Sequence, residues 1–138
     1  MWFRVFGRTD ATIPPAAVLE RIHTLWGISA PGRCRADDLG WFELAVPLGD
    51  RTLVVNRYLA SEDGIREELS NWAAWLEWVE RPELMPRIIQ AQQLFTLEGS
   101  DASAAELCRF LAGQTDGLYH IDGQGLFAAD GTLLVADA

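Results

Sequence analysis

The chain has 138 residues, 49% of them apolar, with eleven basic and twenty acidic side chains and a formal net charge of −9. That length suits one core and is short for two, so one α+β domain spanning residues 1–138 is expected. The acidity argues against nucleic acid and anionic membrane as partners, and because every basic residue is an arginine, a Schiff-base lysine and a P-loop phosphate site are excluded.

Trp2 to Phe6 mixes aromatic and β-branched residues around Arg4 and reads as a strand, followed by a loop from Gly7 to Thr12. Pro14 and Pro15 mark a helix start, since their fixed φ and missing N–H cost little there. Val18, Ile22, Leu25 and Trp26 give its apolar stripe, and Gly27 suits its C-terminal cap. Pro31 and Gly32 break the chain. Arg33 to Ala36 reads as a strand start, before Asp38, Leu39 and Gly40 make a turn or bulge. Phe42, Leu44, Val46 and Leu48 then alternate with Trp41, Glu43 and Ala45, and Thr52 to Leu59 completes a hairpin.

Ile65 to Glu80 carries Trp72, Trp75 and Trp78 at three-residue spacing. At about 100° per residue, Ile65, Leu69, Trp72, Leu76 and Val79 form the stripe an amphipathic helix buries. Arg66, Ser70, Ala74 and Glu77 form its polar back. Ser61 or Asp63 is the expected N-cap, and Pro82 and Pro86 end the helix, leaving Glu83 to Met85 as a connector. Ile88 to Leu97 resumes alternation and is expected to be a strand, although its glutamine run also suits a helix. Ser103 and Glu106 have the spacing of a capping box, and the helix they open buries Ala104, Leu107, Cys108 and Leu111. Leu118 to Val135 is a meander of short apolar pieces punctuated by the turn dipeptides Asp122-Gly123 and Asp130-Gly131.

Strand, helix, strand, strand, helix, strand is a βαββαβ order, which resembles the ferredoxin-like arrangement. The expected architecture is a two-layer sandwich with helices on one face of an antiparallel sheet, plus a C-terminal helix and β-hairpin. Fold alone implies no function.

The chemistry-bearing residues are sparse. His23, His120, Cys34 and Cys108 are scattered and match no zinc spacing, so neither metal nor cofactor is expected. Both cysteines read as reduced structural thiols. The chain has no nucleophile elbow, and Gly123-x-Gly125 precedes a hairpin rather than opening a helix, which is the wrong setting for dinucleotide binding. No run approaches membrane-spanning length, and a soluble, cytoplasmic protein is expected.

Two constellations remain. Trp75 and Trp78 lie beyond the buried seam of the tryptophan helix and, with Glu68 and Asn71, would form a recognition patch unless a wide core covers them. His120 and Asp122 share one face of a strand, where an Asp can orient a His for acid–base work. The expectation is a non-enzymatic protein-interaction module with an acidic, tryptophan-bearing surface, taking a partner with a basic surface or a second copy of the chain. The alternative is a small-ligand site or enzyme at His120 and Asp122.

Overall fold

The computed structural model describes residues 1–137; Ala138, the last residue of the expected domain, lies outside them. The fold is α+β. Its strands are β1 (Trp2–Gly7), β2 (Arg33–Asp37), β3 (Gly40–Pro47), β4 (Thr52–Leu59), β5 (Gln93–Glu98), β6 (Leu118–Ile121), β7 (Gly125–Ala128) and β8 (Leu133–Ala136). They form one antiparallel sheet of eight strands in the order β2-β3-β4-β5-β1-β6-β7-β8. The helices are α1 (Pro15–Trp26), α2 (Ile65–Trp78), α3 (Met85–Ile89) and α4 (Ala102–Gln114), with a 3₁₀ turn at Pro82–Leu84.

This strand order is not ferredoxin-like, and the two-layer arrangement is replaced by helices on both faces. The first reason lies between β4 and β5. A ferredoxin-like order needs a helix that carries the chain across to a parallel strand, whereas here the chain returns to the place it left. Leu59 at the end of β4 pairs with Gln93 at the start of β5, and the Ala60 amide donates to the Gln92 carbonyl at 2.9 Å. The segment carrying α2 and α3 is thus an excursion from an antiparallel pair. The return is made by α3, which replaces the first part of the strand expected at Ile88 to Leu97. Pro86 sits in the first turn of α3, where its missing amide has no helical partner to lose, so it opens a helix where a stop was expected.

The second reason is the C-terminal meander. It does not stand beside the sheet as a hairpin but extends it, because β6 pairs antiparallel with β1 on the side opposite β5. β5, α4 and β6 therefore bracket β1, which becomes an interior strand with two buried faces. Its side chains show this by alternation. Phe3 and Val5 enter a core with Val18 and Ile22 of α1 and Leu107 and Leu111 of α4. Phe6 points the other way and packs with Leu69 and Leu76 of α2 and Ile88 of α3. Each fully buried Leu or Phe contributes about 1.5–3 kcal/mol to holding these layers together.

Local chemistry accounts for the element ends. Gly27 caps α1 at φ 64°, as its position suggests. The N-cap of α2 is Gly64 at φ 83°, with no side-chain cap, so neither Ser61 nor Asp63 has the expected role. Glu67 and Glu68 in its first turn still place negative charge at the positive end of the helix. The far end closes with Glu80 at φ 63° and the Arg81 amide on the Leu76 carbonyl at 2.8 Å, two residues before Pro82. At α4 the capping box is not formed. Asp101 is the N-cap and accepts from the Ala104 amide at 2.9 Å, whereas Ser103 donates to the Leu25 carbonyl of α1 at 3.0 Å.

β3 carries a bulge. Arg35 pairs with Glu43 and Ala36 with Trp41, so Phe42 is an extra residue and the face of every position before it is exchanged. Trp41, rather than Phe42, is buried with Leu44 and Val46. Beside the bulge, Arg57 donates to the Trp41 carbonyl at 2.9 Å and through Nε to the side-chain oxygen of Gln93 at 2.8 Å. Gln93 in turn donates to the carbonyls of Thr9 and Ala11. Burial lowers the Arg57 pKa, but a guanidinium of this kind stays protonated.

Candidate functional site

The register of β1 and β6 places Arg4 directly opposite His120. Both point to the α2 side of the sheet, because they alternate with Phe3, Val5, Tyr119 and Ile121 in the other core. α2 crosses above them. Trp72 lies over this pair, with its ring centroid 4.5 Å from the His120 ring and 5.0 Å from Arg4 Cζ. Trp75 meets His120 edge-on at 5.6 Å and Trp72 edge-on at 5.7 Å.

The β6–β7 turn and the end of β8 supply the polar side. Gly123, at φ 82°, makes the turn that follows Asp122. Gly125, at φ 138°, lets β7 approach β8 so closely that a Cβ there would stand 2.0 Å from the Val135 carbonyl oxygen. This approach delivers Asp137 to the site. Asp137 accepts from the Gly123 amide at 2.9 Å and contacts His120 Nε2 at 3.0 Å. Asp122 accepts from Arg4 at 2.7 Å and stands 3.6 Å from His120 Nδ1, too far for a hydrogen bond. The imidazole is thus flanked by two carboxylates and two indoles, with only 4% of its side chain exposed.

Asn71, Trp72, Trp75, His120, Asp122, Gly123 and Asp137 line an open hollow of about 590 Å³. The two constellations read from the sequence therefore meet, since Asn71 and Trp75 come from the tryptophan patch and His120 and Asp122 from the acid–base pair. Glu68 does not join them. It accepts from Trp72 Nε1 at 3.2 Å and faces a neighbouring hollow with Trp2, Arg4 and Tyr58. Trp78 lies outside both hollows and is 78% exposed.

Three members of the site escaped the sequence reading. Trp72 falls on the core stripe of the sequence, and it is half-buried against Phe6 while also walling the hollow. Arg4 was visible only as a charge inside a strand. Asp137 had no local signal; the eight-residue spacing of the two Asp-Gly turns, taken as a three-stranded meander, would have brought the chain end back beside His120.

A larger hollow of about 660 Å³ lies under the β4–α2 turn, lined by Asp10, Ser61, Glu62, Asp63 and Arg66 among others. None of the buried unpartnered polar atoms belongs to its wall, so its lining makes no demand on a ligand. Among the described residues no group of three or more His, Cys, Asp or Glu is arranged to hold a metal ion. No described helix is long and apolar enough to cross a membrane. Comparison with known proteins returns no match, whether against protein families, curated sequences or solved structures.

Proposed function

We propose that the protein is a non-enzymatic protein-interaction module that presents an acidic, tryptophan-bearing face to a partner with a basic surface. The observation that carries this reading is Trp78. An indole that is 78% exposed on a well-formed helix contributes little to the fold, and Asn71, Trp75 and Trp78 recur at four- and three-residue spacing, so they share one side of α2. That side continues into the hollow bordered by Asp122 and Asp137. Tryptophan is among the side chains that most often anchor binding hot spots, and interfaces surround such anchors with a polar rim. The formal charge of −9 favours encounter with a basic surface.

Used as bait, the wild-type protein should capture a partner that the Trp78→Ala variant loses, with unchanged circular dichroism and thermal midpoint for the variant. Capture should also weaken as salt is raised. Equal recovery on both baits would remove Trp78 from the contact and the reading with it.

A second reading, a small-ligand or enzymatic site at His120 and Asp122, is favoured by the position of both residues on an open hollow. Against it, Asp137 already engages Nε2, so the ring is not free to relay a proton to and from a substrate. A thermal-shift screen of metabolites tests it. A ligand at a hundred times its Kd stabilises by about 2.7 kcal/mol, and a flat response across the screen disposes of this second reading.

A further inference from the structure

Among the described residues, three buried side-chain polar atoms have no hydrogen-bond partner: Thr9 Oγ1, Arg87 Nε and His120 Nδ1. The last belongs to the wall of the hollow beside α2. Its chemistry follows from its neighbours. A carboxylate only accepts, so the 3.0 Å contact with Asp137 puts the ring proton on Nε2. With that single proton on the ring, Nδ1 is an acceptor. Asp122 Oδ1, 3.6 Å away, is an acceptor as well. Two acceptors face one gap, and no donor among the described residues reaches Nδ1.

Charge and shape point the same way. Among the described residues, and with one proton on the ring, Asp122 and Asp137 against the guanidinium of Arg4 leave one net negative charge at the hollow. Trp72 already has the Arg4 guanidinium on its face at 5.0 Å, an internal instance of the cation–π contact that such a wall supports. Trp75 is half-buried and borders the same space.

We propose that this hollow receives one basic side chain of the partner, an arginine guanidinium or a lysine ammonium. It donates to His120 Nδ1 and to Asp122, with its alkyl stem against Trp75. The inference rests on the binding-module reading and names the chemistry the partner must bring. It assigns His120 the role of a buried acceptor, held in the required tautomer by Asp137.

The test is a two-dimensional NMR titration following the indole N–H signals and the His120 ring. The probes are N-acetyl-arginine amide and N-acetyl-lysine amide, with the citrulline and norleucine amides as uncharged counterparts, all at constant ionic strength. The cationic probes should give saturable shifts at Trp75 and His120, with the uncharged ones weaker by on the order of tenfold or more, as loss of a charge-assisted contact implies. Asp122→Asn should weaken the cations by a similar factor, and Trp75→Leu provides a second variant should Asp122→Asn disturb the turn. Trp78→Ala, which lies outside the hollow, should bind the probes as the wild type does. Equal shifts from charged and uncharged probes, or none from either, overturn the inference. The outcomes separate it from the reading beneath it: a failed titration with Trp78-dependent capture intact removes only the cation site. A successful titration without such capture removes only the protein partner and makes the hollow a site for small amines.

Discussion

Trp72 and Trp78, six residues apart on one helix, have opposite roles, and stability measurements separate them. Trp72 touches Phe6, Arg4 and His120 where α2 meets the sheet. Trp72→Ala should cost about 2–4 kcal/mol by urea denaturation, somewhat under the range for a fully buried indole. Trp78→Ala should stay within about 0.5 kcal/mol, as exposed substitutions do. Equal losses would place Trp78 in the fold and withdraw it from any surface. Both indoles stand out in the sequence, but three-residue spacing alone does not say how wide an arc the sheet covers. The cysteines give a second contrast. Cys108 is fully buried, and desolvation pushes its thiol far above the ordinary range, whereas Cys34 is exposed on edge strand β2. A thiol reagent should therefore modify one cysteine in the native protein and two in denaturant; two in the native state would contradict the packing of α4.

Among the elements, α4 shows how a correct helix can have its start misread. The Ser103 and Glu106 spacing suggests a capping box, yet Asp101 two residues earlier holds the Ala104 amide and also accepts from Trp26 Nε1 at 3.2 Å, joining the ends of α1 and α4. Asp101→Ala should cost about 1 kcal/mol and lower the thermal midpoint, because it removes the cap as well as this link. Ser103→Ala should cost less, since Ser103 caps no amide of its own helix. The reverse ranking would restore the capping box. α2 was legible throughout its length, because its apolar period is long and its polar back is exposed at Arg66, Ser70, Ala74 and Glu77. α3 was not. Five residues are too few for a period to emerge, and Pro86 reads equally as the end of one helix or the first turn of another. The bulge at Phe42 was hidden for a related reason, since one inserted residue exchanges the two faces without altering the composition of the strand.

For the whole molecule, local pattern gave the number and kind of most elements but not their neighbours. β4 reads the same whether the chain crosses over after it or returns to its side, and only the pairing of Leu59 with Gln93 decides the matter. The pairing of β6 with β1 fixes the candidate site. With β1 interior, β6 can bring His120 beneath α2, and the meander can bring Asp122 and Asp137 to its rim. Neither Asp137 nor its approach to His120 belongs to any local motif, so the two constellations met in the fold without having been connected in the sequence. The most direct measurement of the proposed binding face is hydroxyl-radical footprinting of the tryptophans, with and without the partner captured by the wild-type protein. The proposal predicts protection of Trp75 and Trp78 on binding and no change at Trp26, which is half-buried at the end of α1 on the opposite face of the sheet and serves as the internal control. Undiminished oxidation of Trp75 and Trp78 in the complex, or protection at Trp26 in their place, would contradict it.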